Sequence, residues 1–95
     1  MDNRSQLLEA LLVEHGPALP QDVVRNTRGD MRRREYVSAA VELFPELAEA
    51  RVRLSQDHLA QIQKWFTQDD FEEEGYPEVQ DYVDRLIAHG FKAAA

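Results

Sequence analysis

Apolar residues recur three and four positions apart along this chain, in runs bounded by glycine and proline, and that spacing predicts helices. Leu7, Leu8, Leu11 and Leu12 form the first such stripe, with Asn3 or Ser5 placed to cap its start and His15-Gly16 to close it. A second, barely two-turn helix is expected to open at Pro20, carry Val23 and Val24, and stop at Gly29 in a left-handed conformation. Asp30 then reads as the N-cap of a third and central helix whose broad apolar face holds Met31, Tyr36, Val37, Ala40, Val41, Leu43 and Phe44, ended by Pro45. Residues 45–50 add a further turn or two on Leu47.

Beyond residue 50 the only strand-like pattern is the four-residue alternation Arg51-Val52-Arg53-Leu54, too short for a sheet. Ser55 is expected to cap a helix with Leu59, Ile62 and Phe66 at i, i+3 and i+7, Trp65 beside them, and Gln61, Gln63 and Lys64 facing out; because Trp65 and Phe66 adjoin, one of the two is expected at a rim. After an acidic link, Pro77 is expected to open a last helix on Val79, Tyr82, Val83, Leu86 and Ile87. Its expected finish is an Asp81/Arg85 pair, His89 near the negative end, Gly90 as terminator, Phe91 folded back on Leu86 or Ile87, and a frayed tail at 92–95. With sparse β-branched residues and no hairpin dipeptide, the expected class is all-α: one small orthogonal bundle of about five helices over residues 1–95.

Composition narrows the function more than it names it. Ninety-five residues suffice for one domain, and thirty large apolar side chains suffice for one modest core. There is no cysteine, which excludes disulfides and thiolate chemistry and fits a cytoplasmic protein. No run of seven apolar residues occurs, so neither a signal peptide nor a membrane span is expected. No Ser-His-acid spacing, phosphate-binding glycine loop, dinucleotide fingerprint or Asp-Ser-Leu carrier element is present, so no catalysis and no cofactor are expected.

The net charge of −7 opposes binding to nucleic acid or anionic membrane. It is unevenly spread: residues 1–54 hold eight Arg against nine acids, whereas residues 55–95 hold three basic residues against nine acids. Asp69, Asp70, Glu72, Glu73, Glu74 and Glu78 crowd the link, with Phe71 and Tyr76 interleaved. An acidic surface framing aromatics suits a basic partner protein, with Trp65, Phe71 or Tyr76 as anchors and Glu72, Glu73 and Glu74 as the steering rim. The leading expectation is therefore a non-enzymatic regulatory or adaptor protein acting through its acidic half, residues 55–91. A related expectation is that the carboxylates mimic nucleic acid in a cationic groove.

The alternative uses the other half. Residues 5–44 have the segment order of a helix-turn-helix, and Arg28, Arg32, Arg33 and Arg34 would then lie at the turn and at the start of the recognition helix, contacting DNA phosphates or bases. Asp30 and Glu35 flank these arginines and weaken that contact, unless a two-fold dimer doubles the patch. Two further matches carry little. Asp70 onward meets an EF-hand template in part, but Asp81 is too short at the twelfth position and Pro77 interrupts the loop. Arg28-Gly29-Asp30 matches an adhesion tripeptide, yet each residue already has a role in ending or starting a helix. His15, His58 and His89 are far apart in sequence and read as surface or helix-end residues.

Overall fold

A computed structural model describes residues 2–94, with side chains to residue 90. Among the described residues six α-helices follow one another: α1 (Asn3–His15), α2 (Gln21–Arg32), α3 (Tyr36–Glu49), α4 (Gln56–Trp65), α5 (Gln68–Glu74) and α6 (Val79–Ala94), with a 3-10 turn, Gly16–Ala18, after α1. No strand occurs among the described residues, so the class is all-α. None of the described helices is long and apolar enough to cross a membrane.

Each helix is sided as the apolar spacing requires. Leu7, Leu8, Leu11 and Leu12 of α1, Leu59 and Ile62 of α4, and Val79, Val83 and Leu86 of α6 are buried in one cluster around α3. α3 supplies Ala39, Ala40, Leu43, Phe44 and Leu47, all fully buried, and it touches α1, α2, α5 and α6. The two alanines matter because small side chains let neighbouring helices approach closely. Ser55 caps α4 as expected, its hydroxyl accepting from the His58 amide at 3.1 Å. At the start of α1 the cap is Asp2, not Asn3 or Ser5: its carboxylate accepts from the amides of Arg4 and Ser5.

Three breakers lie inside helices and not at their edges. α2 passes through Gly29 and ends at Arg32, a turn beyond the expected stop, because Thr27 continues the buried stripe of Val23. The Thr27 hydroxyl donates to the Val23 carbonyl at 2.8 Å, so a residue read as part of a turn satisfies itself inside a helix. The actual turn is Arg33-Arg34-Glu35, with Arg34 left-handed at φ 59°, the Arg34 amide bonded to the Met31 carbonyl and the Glu35 amide to that of Asp30. Asp30 is therefore interior to α2 and does not cap α3.

Pro45 lies within α3, where it leaves the Val41 carbonyl without its usual amide. An interior proline costs about 3 kcal/mol, and the burial of Leu43, Phe44 and Leu47 on either side offsets it. Gly90 does not end α6, which continues to Ala94. The expected packing of Phe91 lies outside the described side chains, and Ala95 lies outside the described residues. Arg85 pairs across helices with Glu49 at 3.0 Å and lies over Tyr82 in place of the expected Asp81 pair.

The two interior glycines have different reasons. A Cβ at Gly29 would meet only Arg33 and Arg32 guanidinium nitrogens, at 3.6 and 3.8 Å, whereas one at Gly90 would overlap Leu59 Cδ1 in the core. Urea denaturation should show Gly29→Ala stabilised by about 0.5–1 kcal/mol through helix propensity. Gly90→Ala should fall below Gly29→Ala by about 1 kcal/mol or more, because buried Leu59 must move. Equal gains would contradict the close approach of α4 and α6.

Candidate partner-binding surface

The acidic link is largely a helix. Thr67 and Asp70 form a reciprocal capping box, in which the Thr67 hydroxyl accepts from the Asp70 amide and the Asp70 carboxylate accepts from the Thr67 amide at 2.9 Å. Asp69 and Asp70 in the first turn complement the positive end of α5. Gly75, left-handed at φ 89°, ends it, with the Tyr76 amide returning to the Phe71 carbonyl at 2.9 Å. Threonine three residues before aspartate and a glycine five residues after it are sequence signals for this helix, hidden by the acidity of the segment between them.

A seven-residue helix has little stability of its own. Phe71, fully buried, ties it to the core by an edge-to-face contact with Phe44, ring centroids 6.3 Å apart. Burial removes Phe71 from the set of surface anchors. Its role is to hold α5 in place.

Arg4 is a functional support that the sequence pattern did not single out. Its guanidinium donates to the Trp65 carbonyl at 2.7 Å and to the Asp70 carboxylate at 3.1 Å, and it lies over the Phe66 ring at 5.2 Å. One side chain from the first turn of α1 thus joins the end of α4 to the cap of α5. Trp65 is half-buried at this junction, beside Tyr36, in an open depression of about 320 Å³ that Asp2, Asn3 and Arg4 also line.

With Phe71 inward, the exposed residues of α5 are Gln68, Asp69, Glu72, Glu73 and Glu74, followed by exposed Tyr76 and Glu78. Glu72 accepts from Gln68, and Glu74 accepts from the Ser38 hydroxyl at 3.0 Å. Asp69, Glu73 and Glu78 have no ion-pair or side-chain hydrogen-bond partner among the described residues. Tyr76 is one of two large apolar side chains with substantial exposure among the described residues, at 48%. The arrangement is a rim of carboxylates on a helix fixed from below, ending in an aromatic.

The EF-hand register does not survive this geometry. Residues 70–74 are helical and the Asp70 carboxylate is already bonded by Thr67 and Arg4, so no loop is left to wrap an ion. No grouping of three His, Cys, Asp or Glu able to hold a metal occurs among the described residues. The fold does bring two of the distant histidines together. Nε2 of His15 and Nδ1 of His58 lie 4.0 and 3.7 Å from the two carboxylate oxygens of Glu14, both nitrogens buried and without a hydrogen-bond partner.

The arginines of the N-terminal half are not where a recognition helix needs them. Arg28 lies within α2, paired with Glu9 at 2.7 Å, and Arg32 is the last residue of the same helix. Arg33 follows it, paired with Asp30 and with Glu35, and Arg34 occupies the left-handed turn. None is at the start of α3, which begins at Tyr36. Basic side chains at the end of α2 are also accounted for by the negative end of its dipole.

Comparison with protein-family models, with curated proteins and with solved structures returns no significant match to this chain.

Replacing Arg4 by Gln should lower stability in urea by about 1–3 kcal/mol, since it leaves the Asp70 carboxylate and the Trp65 carbonyl short of a donor. Arg28→Gln, which breaks only the exposed Glu9 pair, should change stability by less than about 0.5 kcal/mol. Equal effects would remove Arg4 from its joining role.

Proposed function

We propose that this chain is a small non-enzymatic regulatory or adaptor protein, one domain built as an orthogonal helical bundle, that binds a basic partner protein through the outer side of α5. The observation that carries the proposal is the division of labour within α5. Phe71 and Asp70 hold the helix to the core and to Arg4, leaving Asp69, Glu72 and Glu73 exposed on a pre-ordered support. Ordering them beforehand lowers the entropy lost when a partner binds.

In this reading the carboxylates steer a cationic surface into contact and the aromatics at either end of α5, Trp65 and Tyr76, supply contact area. Glu74 is the weaker contributor because Ser38 already uses it. A cytoplasmic location belongs to the same proposal, supported by the absence of cysteine. The DNA-binding alternative has less support, because two of its four arginines are engaged by acids and none begins a helix.

The test is affinity capture from extract with and without nuclease treatment, using the parent protein and E72K/E73K as baits. Both positions are exposed, so thermal melting should be unchanged. Partner recovery at physiological salt should fall about tenfold or more. Undiminished recovery would refute the acidic-rim reading, and recovery abolished by nuclease alone would favour nucleic acid.

A further inference from the structure

On the side of the molecule where α3 ends against α6, Ala48, Arg51, Val52, Arg85, Leu86 and His89 line a cup of about 290 Å³. We propose that this cup binds a carboxylate carried on a short apolar body. Ala48, Val52 and Leu86 supply an apolar surface, while Arg51, Arg85 and His89 supply nitrogen donors. No carboxylate lines the cup among the described residues. That is notable on a chain whose residues beyond 54 hold nine acids and three bases.

The chemistry of the lining selects the ligand. A guanidinium group presents two parallel N–H donors that match a carboxylate. Arg85 already shows this preference, donating to Glu49 at 3.0 Å from outside the lining, while Arg51 has no ion-pair partner among the described residues. A phosphate ion would have nothing to lay against Ala48, Val52 and Leu86, whereas an aliphatic acid would cover them. The volume lies just below the range for ligand pockets, about 300–1,000 Å³, which suits a small body.

The backbone fixes where Arg51 enters the lining. After α3 the chain turns through Arg51 at φ 54°, its amide bonded to the Ala48 carbonyl at 3.1 Å and the Val52 amide to the Leu47 carbonyl at 3.2 Å. This is the position at which helices favour glycine, because other residues are strained there. The helix dipole favours a cation near this end but does not require one in the left-handed position. Arg51 thus lines the cup from a backbone position that residues other than glycine enter only under strain.

The test separates the roles of Arg51 and the apolar surface. In an NMR titration of the whole chain at constant ionic strength, n-butyrate should give saturable shifts at the amides of Arg51, Val52, Arg85 and His89. Formate and 1-butanol, each lacking half of the ligand, should bind about tenfold more weakly. Arg51→Gly should raise the melting temperature, by relieving the left-handed strain, yet weaken butyrate binding about tenfold. Arg51→Gln should weaken it as much without the gain in melting temperature.

A tripeptide ending in valine identifies the source of the carboxylate. Tighter binding than butyrate, lost on C-terminal amidation, assigns a protein C-terminus, and binding no tighter than butyrate assigns a free small acid. Either outcome supports the site. Non-saturable shifts with butyrate, equal binding of 1-butanol or the amidated peptide, or undiminished binding by Arg51→Gly would overturn it.

Discussion

Phe44 is the contact on which the arrangement of this chain depends. Its ring meets Phe66 edge-to-face at 5.3 Å and Phe71 at 6.3 Å, so one side chain of α3 fixes the end of α4 and the middle of α5. Such pairs contribute about 0.5–1.5 kcal/mol each beyond the area they bury. Pro45 adjoins it, yet α3 continues, because Phe44 and Leu47 are both fully buried on either side of the missing amide. Here packing outweighs the local preference of the backbone.

From that centre the charge distribution acquires a structural meaning. Six acids between positions 69 and 78 would repel one another in an extended loop. In the fold they are separated by function: Asp70 caps α5 and binds Arg4, Glu74 and Glu72 accept hydrogen bonds from Ser38 and Gln68, and the others face outward. The arginine-rich half is treated in the opposite way. Arg28 and Arg33 are paired with acids close to them, and the charge concentrated around Gly29 in the sequence is partly neutralised on the surface.

Apolar spacing made much of this legible. The buried stripes of α1, α4 and α6 are the residues their periodicity indicates, and Ser55 caps the helix it precedes. What the sequence concealed were cases in which tertiary packing overrides local punctuation. Gly29 and Gly90 read as helix ends because glycine is the common terminator, but at both α3 and α2 the residue in the left-handed position is arginine, Arg51 and Arg34. Thr27 resembles a turn residue until its hydroxyl is bonded to the turn below. Charge conceals α5, although its cap and stop residues are present, and Phe71 resembles a surface aromatic until the helix forms and turns it inward. Arg4 gave no sequence signal, since its three partners lie more than sixty residues away.

The central claim is that the acidic segment is a pre-formed helix anchored through Phe71, and native-state amide hydrogen exchange tests it most directly. The amides of Phe71, Gly75 and Tyr76, bonded to the carbonyls of Thr67, Glu72 and Phe71, should exchange at least about tenfold more slowly than in an unstructured chain. Exchange at unstructured rates across residues 71–76, with α3 still protected, would contradict the claim. The carboxylates would then belong to a flexible acidic loop and not to a rigid rim.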